Sequence, residues 1–221
     1  MYPSSIPGPI CVEGGMLSEE AIREKVELAG RKALEYKEKG FHCSESVFLA
    51  INEVLQITDP RMVKAITGFH GGGGSHRLDP NVDMTKLLAG VAAGYQEVGD
   101  DGVPIVQVRH LCGALAACIM CTSLLYGRTS PDDDLTCVDE LCYELHRRFQ
   151  EELGHNECKF LREIWVPKTP DGSCSHIYRT GAQIGVDVIL HAPQLVRECR
   201  PRHEIAPESI PCAAREAVPG R

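Results

Sequence analysis

The chain of 221 residues is long enough for one sizeable core, and 43% hydrophobic with 24% charged residues is the balance of an ordinary globular protein. A formal net charge of −8, with no lysine or arginine run, excludes the basic footprint by which proteins grip nucleic acid and leaves small molecules or other proteins as partners. The start, MYPSSIPGPICVEGG, lacks a basic segment followed by an apolar one, and no stretch reaches roughly 18 uninterrupted apolar residues, so neither export nor membrane insertion is expected. Eleven cysteines are many for a chain with a core of this size. In the cytoplasm, the expected compartment, such cysteines are metal-binding, catalytic or buried.

Residues 1–17 read as an N-terminal extension. From Ser18, SEEAIREKVELAGRKALEYKEKG carries a serine N-cap, acids in the first turn, apolar Ile22, Val26, Ala29 and Ala33, and a stop at Gly40, which predicts an amphipathic helix. A second helix is predicted from Cys43 through Val47, Phe48, Ala50, Ile51, Val54 and Leu55, and a third, shorter one over PRMVKAITGF after Asp59. The periodicity then breaks at FHGGGGSHRLDP. Four consecutive glycines, 71 to 74, are costly to order, so this loop is either mobile or brings its backbone close to something that a side chain would obstruct. A phosphate cradle is disfavoured, because there is no GxxxxGK[ST] and no preceding strand.

TKLLAGVAAGYQEV, from Thr85, reads as a helix despite Gly90 and Gly94, and GDDGVPIVQV as a turn and an extended piece. HLCGALAACIMCTSLLYG, 110 to 127, is an apolar helix. TSPDDDLTCVDELCYELHRRFQEELG predicts a long helix ending at Gly154, with Asp132 to Asp134 as its N-terminal charge cap and Leu135, Val138, Leu141, Leu145 and Phe149 inward. NECKFLREI predicts a short helix, VPKTPDGSC a loop, and SHIYRTGAQIGVDVILHAPQLVREC a last helix interrupted near Pro193. Residues 201–221 lack an apolar period and read as an extended tail, disordered or laid on a partner. The fold class expected is all-α: one irregular helix bundle over 18–200 with glycine-rich loops.

The cysteines sort by geometry. At about 100° per residue, Cys118 and Cys121 lie about 60° apart on one helix face, while Cys112 is about 120° from the first and about 180° from the second. Cys118-x-x-Cys121 is mid-helix and not followed by histidine, so it reads as buried packing before a redox dithiol or metal ligands. Cys137 and Cys142, about 140° apart, also read as packing. Cys43 and Cys112 sit where helices begin, Cys158 just past a long helix and Cys174 in the loop before the last one. Gly113 and Ala114 give Cys112 a small-residue shoulder that lets backbone or a cofactor approach. Four cysteines at element ends suit a site assembled from several helices.

FHCSESVFLAINEVL, GFHGGGG, CGALAA at 112 to 117, ELGHNECKFL and GSCSHIYRTGAQI, in that order, resemble the C-GCAxxG-C-C family of redox-active proteins. Ala117 stands where that family has glycine, and some thirty residues separate the glycine run from CGA. The long gap suggests an insertion, about 77–108, carrying an added helix. The family is similar to the cluster-binding part of split-Soret cytochromes. The resemblance therefore implies iron–sulfur ligation by Cys43, Cys112, Cys158 and Cys174, as a [2Fe–2S] or [4Fe–4S] cluster. Covalent haem does not carry over, since CxxCH is absent. Backbone at Gly71, Gly72, Gly73 and Gly113 would approach and tune such a cluster. Four thiolates also match structural zinc, though zinc usually shows compact CxxC knuckles.

His42, His70, His76, His110, His155 and His176 lie near these elements, with His70 and His76 as the pair flanking the glycine loop. No Ser-His-Asp order, HExxH or Rossmann fingerprint is present, and no catalytic residue is assigned. The reading is an electron-carrying iron–sulfur protein rather than an enzyme, working with a redox partner or as a homo-oligomer. Its alternatives are a thiol-disulfide oxidoreductase using Cys118 and Cys121, and a metal-free or zinc-stabilised helical assembly subunit.

Overall fold

A computed structural model describes residues 17–77, 95–98, 104–196 and 199. Helix α1 spans Glu19–Glu38. Ser18 Oγ accepts the Ala21 N–H at 3.2 Å, and Ile22, Ala29 and Ala33 are buried, as the apolar period predicts. Helix α2, Cys43–Leu55, starts with the Glu45 carboxylate accepting the His42 N–H at 3.0 Å. It ends where the Asn52 amide clasps Thr58, accepting its N–H at 2.8 Å and donating to its carbonyl at 3.0 Å. The short helix expected after Asp59 forms instead as two tight 3-10 turns, Pro60–Ala65 and Thr67–Gly72. Pro60 has no N–H to give, Asp59 takes the Arg61 N–H at 2.8 Å, and Gly68 weakens the second turn, so no α-helical ladder propagates.

Three short strands come next: β1 Ser75–Arg77, β2 Tyr95–Val98 and β3 Pro104–Gln107. They form an antiparallel sheet in the order β1-β3-β2, with Ser75 opposite Gln107 and Gln96 opposite Val106. The extended piece expected after the turn is β3. The helix read from Thr85 is corrected at its end, because Tyr95–Val98 is a strand: pairing with β3, a tertiary event, outweighs a helical period already weakened by two glycines. The rest of that segment, 85–94, lies outside the described residues, as do most of the N-terminal extension and the tail.

Helix α3, Gly113–Tyr126, is largely apolar and largely buried. Helix α4, Thr136–Leu153, buries Val138, Leu141, Leu145 and Phe149. It begins later than the Ser-Pro-Asp signal suggests, since Asp133 is occupied in a turn, accepting the Thr129 and Ser130 N–H groups at 3.1 and 3.2 Å. Of the acidic trio, Asp134 does the capping, through the Thr136 N–H at 3.2 Å. Helix α5 is Cys158–Trp165, and α6, Ser175–Leu190, breaks at His191 before the short α7, Ala192–Leu195, which holds Pro193.

The architecture is predominantly helical, and among the described residues the small sheet and the 3-10 turns depart from the expected bundle. Helix α6 is central, packing on α1, α2, α3 and α4. Phe48, Phe149, Leu49 and Ile51 are among the largest wholly buried side chains. No described helix is long and apolar enough to cross a membrane. One packing assignment is corrected: Cys137 is disulfide-bonded to Cys199, 62 residues along the chain, with the Cα atoms 5.2 Å apart. Cys142 is free and partly buried, consistent with packing.

Candidate functional site

Four helices begin at one place. Cys43 and Cys158 are the first residues of α2 and α5, and Cys112 and Cys174 are the N-caps of α3 and α6. Backbone hydrogen bonds lace the segments ahead of these helices together. Leu111 bridges Glu157, the Cys112 N–H donates to Asn156 O at 3.0 Å, and the Cys158 N–H donates to His110 O at 2.6 Å. The same strip binds the glycine loop on its other edge, with Arg109 N–H donating to Gly71 O at 2.8 Å and His110 N–H to Gly72 O at 3.0 Å.

The glycine loop has the second of its two expected characters, close backbone approach. A Cβ on Gly72, whose φ is 78°, would stand 2.5 Å from Arg109 Cα. What approaches Gly72 is the protein's own backbone. Gly73 would meet only the Val108 side chain, at 3.4 Å. Gly71 reaches the cysteines themselves, its backbone N–H lying where it favours the Cys43 thiolate. Gly113 lies against the same atom: a Cβ there would fall 2.6 Å from Cys43 Sγ and 2.9 Å from Phe69 O.

The four thiols lie near enough to one another that ionising one disfavours ionising the next. Cys43 couples to Cys174, Cys112 to Cys43 and Cys158, and Cys158 to Cys43 and Cys174. Burial pushes every one upward, Cys43 to about 11 and Cys158 to about 12, so all four carry protons at neutral pH. Opposing that shift, two guanidinium groups serve one side of the set. Arg162 Nη1 donates to Cys174 Sγ at 3.3 Å, and both Arg162 and Arg109 favour the thiolates of Cys158 and Cys174. At Cys43 and Cys112 it is chiefly backbone N–H groups that favour the thiolate, those of Gly71 and Ser44 for the first and of Leu115 and Ala114 for the second. Tyr178 stands beside Cys43, Cys174 and Cys112, its hydroxyl held protonated by burial.

Arg162 and Tyr178 escaped the sequence reading, although each lies four residues after a cysteine of the set on one helix face, Arg162 after Cys158 and Tyr178 after Cys174. Arg109 gave no such signal, since it sits on an irregular strip at φ 57°. The described histidines near the cysteines take structural or surface positions. His70 stacks on His42, ring centroids 4.7 Å apart, while the side chain of His76 lies outside the described residues. His176 stacks on Trp165 at 3.9 Å, and His155 Nδ1 accepts the Glu157 N–H at 3.0 Å. The His110 ring is exposed.

Cys118 and Cys121 are apart from this site and wholly buried. Cys118 donates to Gly181 O at 3.1 Å, and burial pushes both thiols far up, as packing residues require.

Whether the residues present fit a cluster is tested by what the protein leaves unspent. Among the described residues, the buried side-chain oxygens without a partner are Ser44 Oγ, Thr122 Oγ1 and Asn156 Oδ1. Two of these adjoin cysteines of the set in sequence, Ser44 after Cys43 and Asn156 two before Cys158. Four thiols at helix N-termini, backbone donors and the nearby cations Arg162, Arg109 and Lys37 suit a negatively charged sulfur-ligated group. Among the described residues, no group of three or more His, Cys, Asp or Glu is drawn close enough to hold a single metal ion.

No curated protein and no solved structure matches the chain. A family model does, over residues 83–188, a span that takes in Cys112, Cys158 and Cys174 and begins after Cys43, which the fold brings to them. The resemblance read from the motifs is therefore shown over that span: the family is the one described as "Putative redox-active protein (C_GCAxxG_C_C)", and it supports a redox role for this chain.

Proposed function

We propose that Cys43, Cys112, Cys158 and Cys174 hold an iron–sulfur cluster and that the protein carries electrons to or from a partner, as a subunit or accessory of a larger oxidoreductase in the cytoplasm. What supports this reading is that Cys43, Cys112, Cys158 and Cys174 each stand at a helix start and lie within electrostatic reach of others of the set. A [2Fe–2S] or [4Fe–4S] cluster supplies one-electron chemistry within a protein that need not itself react. The chain's residues would hold, shield and tune it. Helix N-termini favour the thiolate form, so ligation would release the protons these buried thiols now carry. Gly113 lets α2 and α3 close on each other, and the Gly71 N–H favours the Cys43 thiolate.

Structural zinc usually sits on compact CxxC knuckles, and Cys43, Cys112, Cys158 and Cys174 are instead separated by long stretches of chain. A dithiol at Cys118 and Cys121 is disfavoured by their complete burial.

Anaerobic purification with a visible spectrum and iron and sulfide analysis tests the proposal. The expected result is a brown protein with matching iron and sulfide, both lost in Cys112→Ala and Cys158→Ala variants that still melt cooperatively. A colourless wild type that takes up neither iron nor sulfide on anaerobic reconstitution overturns it.

A further inference from the structure

We infer that Arg162 is a positioning residue that sets the reduction potential of the centre, by donating a charged hydrogen bond to the Cys174 sulfur; this rests on the cluster reading above. Side chains on a helix lean towards its N-terminus, so Arg162, one turn after Cys158 on α5, is carried back over the start of its own helix and reaches across to α6. Its Nη1 lies 3.3 Å from Cys174 Sγ, within range of a hydrogen bond to sulfur. The group is half-buried, where a guanidinium is less screened than at the open surface.

The cations are unevenly distributed. Arg162 and Arg109 both act on Cys158 and Cys174, with Lys37 adding to Cys174, whereas the thiolates of Cys43 and Cys112 are favoured chiefly by backbone N–H groups. In the proposed step one electron leaves an external reductant and enters the cluster. The reductant is oxidised, the cluster becomes one charge more negative, and no bond of the chain forms or breaks. A nearby positive charge stabilises the reduced state more than the oxidised one and so raises the potential, since net charge and hydrogen bonds to the sulfurs are what tune such centres. The Cys158 and Cys174 edge is accordingly where the added electron density is best compensated.

The test is a dye-mediated redox titration of the reconstituted full chain as wild type, Arg162→Gln and Arg162→Lys, with iron and sulfide content and thermal melting measured on each. Arg162→Gln is expected to disfavour one-electron reduction by roughly tenfold, the scale of one charge-assisted hydrogen bond, which is a fall of about 59 mV. Arg162→Lys keeps the charge and should shift less. If Arg162→Gln does not retain the cluster, Arg109→Gln carries the same prediction in the same direction. A fully loaded Arg162→Gln at the wild-type potential overturns the inference, as does an equal shift in the glutamine and lysine variants. An iron-free wild type defeats the cluster reading, and this inference with it.

Discussion

Gly113→Ala is the sharpest probe of how the site is built. The added Cβ would lie 2.6 Å from Cys43 Sγ, 2.9 Å from Phe69 O and 3.2 Å from Ser44 N. Two of those three atoms are backbone, and the Cys43 sulfur is held close to the backbone of α2, so no flexible side-chain end can give way. Restoring ordinary contact requires the starts of α2 and α3 to part by about 1 Å, given that non-bonded atoms prefer roughly 3.5–4.0 Å. Overpacking of this kind costs about 1–3 kcal/mol, and the better helix propensity of alanine returns at most about 1 kcal/mol. The net expectation is a loss of about 1–2 kcal/mol. For a domain of this size that lowers the melting temperature by roughly 2–8 °C. The assay is thermal unfolding with iron and sulfide analysis after anaerobic reconstitution: the variant should melt earlier and hold less of both, because Cys43 is the residue displaced. An alanine variant that melts with the wild type and loads fully would show that the two helix starts do not meet as described.

Cys118→Ala with Cys121→Ala removes two buried sulfurs and should cost about 1 kcal/mol at each, the scale of deleting one methyl-sized group; denaturant melts should record that loss while any visible spectrum stays unchanged. Cys137→Ser opens the disulfide across 62 residues of chain, and loop entropy puts the loss at up to about 4 kcal/mol, to be read from non-reducing against reducing denaturant midpoints; coincident midpoints for wild type and variant would contradict the bond. Glu144 is held by Arg147 and then Arg148, which bring its carboxyl from 4.5 down to about 2. A depressed carboxyl stabilises the fold above its unfolded value and loses that contribution as pH falls through its folded one. The stability gap between wild type and Glu144→Gln should therefore close between about pH 4.5 and pH 2, and a pH-independent gap in urea titrations would refute it.

The helices were legible because their causes are local. Ser18 with the acids after it, Gly40, the apolar stripe through Ile22, Ala29 and Ala33, and Pro193 after His191 all act within a few residues, and α1 and α6 fall where those signals put them. The placing of four cysteines at element ends was legible for the same reason. What the fold alone supplied depends on residues far apart in the chain. The strand at Tyr95–Val98 exists because β3 pairs with it, and the partner of Cys137 lies 62 residues away. His70 meets His42 because the 3-10 turns fold back on the start of α2, a path no periodicity reports. Gly72 is small because Arg109 crosses it, and Arg162 reaches Cys174 because α5 and α6 start side by side. Periodicity and capping describe what a segment prefers against water. Which segments then share a centre is decided by burying their apolar faces together, and for this chain that choice is what brings four helix starts, and their cysteines, to one place.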